Sequence, residues 1–217
     1  MPATLTHRPP SSLLDSAAAI LGVVVLFAFC QILVAQQSPA KPAKKQKSAS
    51  ELIKKQAPPK VIPRVLDQAT AENLSVYISI GKQRVYLKVG DEVGIDSPIS
   101  SGKRAGMTPY GNFLIVQKDA DHRSNLYGAF VNKNNQVVKA GVSTKIDSAP
   151  SGTRFVGAPM NWFMRFGEDL ESHRPEGMHT GILPGYPASH GCVRLPEEIA
   201  KLIYEKVSVG TPVIIGD

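Results

Sequence analysis

The sequence predicts a mainly β domain with one late helix and a closing strand, covering residues 75–217. Three observations carry that expectation. Two alternating β-branched and aromatic runs flank a short Gly-containing turn in "SVYISIGKQRVYLKV", from Ser75 to Val89. Further strand-length apolar runs follow, separated throughout by turn residues. A single apolar stripe of helical period appears only near the end of the chain.

Ahead of that domain the chain has a different character. Ala17 to Ala35, "AAAILGVVVLFAFCQILVA", is apolar except for Gln31 and about as long as a bilayer is thick. Residues 1–37 therefore read as a secretory signal peptide or as an uncleaved membrane anchor. The length of the run, and Leu33 where a cleavage site wants a small residue, favour the anchor. Cys30 follows Phe29, which does not suit a lipid-modified cysteine, and reads as a small apolar residue of the span. Residues 38–74 are rich in Pro, Ala, Lys and Gln, with too few large apolar side chains to fold alone, and read as a semi-extended charged linker.

From Ser75 the hairpin opens the folded part. Further strands are expected at Val93–Ile99, Asn112–Gln117, Gly128–Val131, Gln136–Ala140, Asn161–Phe166 and Thr211–Ile215. The helix is expected from Pro196 to about Val207, with Pro196 at the first helical position and Glu197 and Glu198 at its positive end. Ile199, Leu202, Ile203 and Val207 form its apolar stripe, and Gly210 lies just beyond.

Charge excludes one class of function. The formal net charge is +7, but residues 1–74 hold nine Lys/Arg against four Asp/Glu, while the remaining residues hold sixteen against fourteen. The basic excess belongs to the N-terminal arm, and the main domain has no basic run that would track a phosphate backbone. Nucleic-acid binding is not expected.

The chemistry gathers around Cys192, in "PGYPASHGCVRLP". A cysteine attacks as thiolate and needs neighbours that favour negative charge. His190 precedes it by two residues, Arg194 follows by two, and the helix N-terminus lies close behind. His179, flanked by glycine in "GMHTG", can reach the thiol as general base from a strand end. Gly191 allows close backbone approach, and the N–H groups of Gly191 and Cys192 can face a developing oxyanion. Each residue alone has a bland explanation: a buried small thiol, a core histidine, an arginine paired with Glu197 or Glu198. Their joint occurrence favours acyl transfer through a thioester. His179, His190 and Cys192 can also supply three zinc ligands, but no CxxC or HExxH spacing supports a metal.

"HTG" at His179–Gly181 followed by "SHGCVR" at Ser189–Arg194 resembles the signature of the L,D-transpeptidase catalytic domain family (YkuD-like), whose members modify bacterial peptidoglycan. The opening paired strands, the Ser-Gly-Lys turn, Thr108, Pro109, Gly111 and Phe113, and the closing "GTPVII" extend the resemblance over roughly Ser75 to Gly216. It implies a β-sandwich or mixed sheet with the late helix packed on it. It implies Cys192 as acylated nucleophile and His179 as its base, oriented by a backbone carbonyl near Thr180 or Gly181. It places His190 in the catalytic set, and Arg194, Ser189, Gly191, Thr180 and Gly181 around the substrate. Tyr186, in a loop shorter than in many members, is a further substrate-contact candidate, while Thr108 and Pro109 read as a structural turn and Trp162, Phe163 and Phe166 as core.

The implied substrates are tetrapeptide stems of peptidoglycan, with release of the terminal D-Ala and no cofactor or metal. Water as acceptor would instead make a carboxypeptidase or other cysteine hydrolase; a dead site would leave a wall-binding module, against which the intact His179, His190, Cys192 and Arg194 argue. Carbapenem-type inhibition through the same cysteine is implied as well. Peptidoglycan lies outside the cytoplasmic membrane, so the resemblance expects export to the cell envelope with a tether through the N-terminal segment. That expectation overrides Lys41, Lys44, Lys45 and Lys47 after the apolar run, which would otherwise favour the cytoplasmic side.

Overall fold

Alternation of apolar and polar residues in the first hairpin commits residues 74–89 to two strands with one face inward. Val76, Ile78, Val85 and Leu87 are fully buried, and burying each such side chain contributes about 1.5–3 kcal/mol. The computed structural model describes residues 56–171 and 174–217, and all of these lie within one compact unit. Among the described residues twelve strands and two helices follow in chain order. The first are β1 (Lys60–Val61), α1 (Pro63–Leu66), β2 (Leu74–Ser79), β3 (Arg84–Val89), β4 (Glu92–Pro98) and β5 (Gly111–Asp119). Then come β6 (Arg123–Val131), β7 (Val137–Ser143), β8 (Arg154–Pro159), β9 (Phe163–Gly167) and β10 (Gly177–Thr180). The chain closes with β11 (Val193–Leu195), α2 (Glu197–Lys206) and β12 (Pro212–Gly216).

The fold class is as expected: mainly β, a mixed sheet, one late helix packed on it. The large sheet runs β1-β4-β3-β2-β12-β5-β9-β10-β11. The β2–β12 and β10–β11 pairs are parallel and the rest antiparallel. The sheet curls until its far edge meets the chain that leaves β4: Ser100 and Arg194 exchange both backbone hydrogen bonds at 3.0 Å. Helix α2 buries Ile199, Ala200 and Ile203 against β9 and β10. Pro196 is its N-cap rather than its first helical residue. A second, three-stranded sheet, β7-β6-β8, is inserted between β5 and β9.

Several boundaries differ from expectation. The segment 38–74 does not act as linker over its described part. Lys60 and Val61 pair with Asp96 and Ile95, and Val65 and Leu66 are buried in the core at 2% and 5% exposure. Two apolar anchors in a Pro- and Lys-rich stretch are too weak a pattern to register as structure. Strands β8, β10 and β11 were not among the expected strands. β8 carries glycine and proline, and the other two are four and three residues long. The span 17–35, the rest of residues 1–37 and the linker up to residue 55 lie outside the described residues. Among the described residues no helix is long and apolar enough to cross a membrane.

Candidate active site

Parallel pairing of β10 with β11 sets the site. Met178 pairs with Val193 and His179 with Arg194. Residues paired across neighbouring strands share a face, and so do residues two apart on one strand. His179 and Arg194 therefore share the face opposite Met178 and Val193, both fully buried, and Cys192, in the turn just before β11, lines the same cleft. That face forms part of a cleft of about 1390 Å³, whose other walls come from β6, β7 and β8.

His179 is 8% exposed. Its Nδ1 lies 2.7 Å from the Thr180 carbonyl, so Nδ1–H donates and Nε2 keeps its lone pair. Burial pushes its pKa down to about 4; the Thr180 carbonyl opposes this, while Arg194 and His122 add to it. At neutral pH the imidazole is uncharged, as a general base must be. This has a stability consequence. Between about pH 4 and the ordinary histidine value, the unfolded chain binds a proton that the folded chain refuses. Stability therefore rises with pH through that window, by at most roughly 3 kcal/mol from this group, and levels off above it. Urea midpoints at pH 4.5 and 7 for wild type and His179→Gln check it: the pH difference should shrink in the variant.

Cys192 is half-exposed and free. Its sulfur touches the cleft, yet protein surrounds it on most sides. Burial pushes the thiol up; the Gly177 backbone N–H pulls it down, Glu176 raises it, and Arg165 and Arg194 lower it. The resting pair is thus neutral thiol and neutral imidazole, with Sγ 3.9 Å from the Pro175 carbonyl. Gly177 cannot be another residue, because a Cβ there would sit 2.4 Å from the Met164 carbonyl oxygen.

The turn before Cys192 is held by a chain of hydrogen bonds from distant segments. Gln83, in the turn after β2, donates to Ser101 Oγ at 2.8 Å and accepts from the Ser101 N–H at 3.0 Å. The Ser101 carbonyl accepts the N–H groups of Ala188 and Ser189. Ser189 Oγ donates to the Cys192 carbonyl at 2.5 Å and accepts the Gly191 N–H at 3.0 Å. Thr108 Oγ1 donates to the Gly191 carbonyl at 2.6 Å and accepts the Gly102 N–H at 2.9 Å, which makes Thr108 the structural pin expected of it. Gly191 has φ +143°, and a Cβ on it would lie 3.0 Å from the Met107 carbonyl oxygen, so glycine is required.

These bonds correct four of the expected roles. Ser189 is 2% exposed, and its hydroxyl is spent on hydrogen bonds inside the turn rather than presented to the cleft. The Gly191 N–H is committed to Ser189, and the Gly177 backbone N–H is the one that favours negative charge on the Cys192 sulfur. His190 lies exposed on the cleft rim, stacked on Tyr127 at 4.4 Å, with Nε2 accepting from Lys103 Nζ at 3.0 Å. That nitrogen is not free to take a proton from the thiol. Tyr186 is half-buried and lies outside the cleft; its carbonyl accepts from Ser100 Oγ.

The other expected residues do line the cleft. Arg194 is half-buried there, its stem laid against Gly181, where a Cβ would come within 2.8 Å of it. Thr180 Oγ1 is buried without a hydrogen-bond partner among the described residues, on the same wall. Phe163 and Phe166 are core at 1% and 0% exposure, and Trp162 packs on Tyr204. Sequence reading missed Arg165, Glu176 and His122, which share the cleft. His122 stacks on Phe163 at 4.3 Å and bonds Asp119 at 3.0 Å. Their only sequence signal was charge beside a strand. Among the described residues no three metal-ligating side chains converge.

A thiol and a buried neutral imidazole line one cleft of a mainly β domain built on a mixed sheet. Residues 74–215 match the family model of the L,D-transpeptidase catalytic domain, YkuD, and the chain belongs to that family. Among solved structures it is similar to an L,D-transpeptidase from Stackebrandtia nassauensis, with 18% identity and TM-score 0.46 over 68% of this chain and 57% of that one. It is similar also to one from Mycobacterium smegmatis, with 21% identity and TM-score 0.46 over 66% and 58% of the two chains. A third is Mycobacterium tuberculosis L,D-transpeptidase 1, with 19% identity and TM-score 0.44 over 66% and 62%. The chain spans less than two thirds of the length of each. Comparison with curated proteins gives no match.

Proposed function

We propose that the protein is a peptidoglycan L,D-transpeptidase working through a Cys192 thioester. The observation that carries this is the shared face of β10 and β11, where His179, its Nδ1 engaged by Thr180, stands with Cys192 over one cleft. In this mechanism the substrate carbonyl approaches Sγ and the thiol turns from Pro175 toward His179 Nε2. Sγ attacks the carbonyl before the terminal D-Ala as its proton passes to the imidazole. The Gly177 N–H and the guanidinium groups of Arg165 and Arg194 stabilise the charge that develops. The imidazolium returns the proton to the leaving D-Ala amine, and the thioester then passes to an amine acceptor. Arg194 and Thr180 Oγ1 are suited to hold the carboxylate and amide of the stem. No metal or cofactor takes part.

The reading requires export, with residues 1–37 as signal or anchor and a tether leading to the wall. It also makes the thiol a target for carbapenems. The test is disaccharide-tetrapeptide offered alone, with products quantified. Cross-linked dimer with released D-Ala is expected. Free tripeptide without dimer would mean transfer to water, and no D-Ala release at all would overturn the assignment.

A further inference from the structure

We propose that Glu176 is the acceptor-side residue of this site: it holds the incoming amine as its ammonium beside the thioester and so favours amine over water. The proposal rests on the transfer reading above. Glu176 immediately precedes β10 and lines the cleft together with Cys192 and His179. Its side chain is packed over the residue before the nucleophile: a Cβ on Gly191 would stand 3.2 Å from its Cγ and 3.6 Å from its Oε1. Only 18% of that side chain is exposed. Of the two carboxylates that line the cleft, Glu197 stands exposed at the start of α2, and Glu176 adjoins the nucleophile turn.

Among the described residues the one ion pair of Glu176 is to a cation that has a second carboxylate partner: its Oε2 lies 3.2 Å from Arg174 Nε, and the same guanidinium also binds Glu168. The oxygen nearer Gly191 is Oε1. Glu176 also acts on Cys192 through space, in the sense that opposes a thiolate. It thus hinders the first half-reaction, and the second is where a carboxylate helps. The other charged groups near the sulfur, Arg165 and Arg194, are cationic and repel an ammonium.

The step balances as follows. A primary amine arrives largely as ammonium and settles against Glu176. It releases one proton to solvent. Its lone pair then attacks the thioester carbonyl; the C–N bond forms and the C–Sγ bond breaks. The second amine proton passes through His179 to the departing sulfur, which regenerates the thiol. Water carries no charge for Glu176 to hold, so the residue biases acceptor choice.

The experiment uses the full chain as wild type, Glu176→Gln and Glu176→Asp. Each is acylated with a tetrapeptide stem and offered glycinamide, largely ammonium at pH 7, or hydroxylamine, uncharged at that pH. Transfer and hydrolysis products are then quantified by mass. Glu176→Gln should lower the transfer-to-hydrolysis ratio for glycinamide about tenfold, mainly through a higher KM for the amine. Transfer to hydroxylamine should hold within about twofold, since an uncharged acceptor gains nothing from the carboxylate. Glu176→Asp should recover much of the loss. Acylation of Glu176→Gln should be faster than wild type, because the thiolate is less opposed. An equal fall for both nucleophiles, or an unchanged glycinamide ratio, would overturn the proposal. Failure of the wild type to form any acyl-enzyme would instead overturn the transfer reading and this proposal with it.

Discussion

Cys192→Ala is expected to abolish both the mass adduct that a carbapenem leaves on the chain and the release of D-Ala from tetrapeptide stems. Removing a nucleophile takes away the covalent route entirely, a loss on the order of 10⁴-fold or more. The fold should survive the change. Cys192 is half-exposed, and the bond that closes its turn runs from Ser189 Oγ to the Cys192 backbone carbonyl, which alanine retains. Stability should therefore stay within about 1 kcal/mol of wild type. Intact mass after incubation, with a urea melt alongside, separates the two effects. A stoichiometric adduct on the alanine variant would place the acylated residue elsewhere and end the case for Cys192.

His179→Gln is expected to slow acylation by about 10²–10⁴-fold, the range for loss of a general base. Glutamine can still donate to the Thr180 carbonyl, but it offers no nitrogen that takes a proton. The pH profile makes the test specific. In wild type the acid limb of kcat/KM should follow His179 and lie near 4, where burial sets it. In the variant that limb should vanish, and the residual rate should climb with pH as the thiol itself ionises. A variant that kept the low acid limb would assign the base to another residue, and His122, the other histidine acting on His179 in that cleft, would be the first to examine.

The parts of the site that were legible in the sequence are those written locally. His179 and the Ser189–Arg194 stretch stand within one short window, and glycine on either side announces close backbone approach. The strong alternation of residues 75–89 and the stripe of α2 announce themselves by period. What was not legible depends on register. The Gly177 N–H comes to act on the Cys192 sulfur where β10 pairs in parallel with β11. Ser189 turns inward because Ser101, held by Gln83, takes its N–H. His190 loses its free nitrogen to Lys103, 87 residues earlier in the chain. The first turn of the fold, around Val65 and Leu66, was hidden by a composition that elsewhere marks a linker.

The hydrogen-bond chain from Gln83 through Ser101 to Ser189 has a kinetic meaning too. Gln83 and Ser101 lie 18 residues apart, whereas the Thr108–Gly191 link spans 83 and β12 must insert between β2 and β5. Contacts of such separation form late, because loop closure costs entropy before the contact repays it. No N-terminal fragment of this domain holds its nucleophile turn in place. During synthesis and any passage in the unfolded state, the thiol therefore lacks its ordered base and its N–H donor. Directed acyl transfer is assembled only by completion of the fold, whereas the burial that holds the thiol protonated is lost on unfolding, so a chain that misfolds carries a cysteine of ordinary thiol reactivity and no site to direct it.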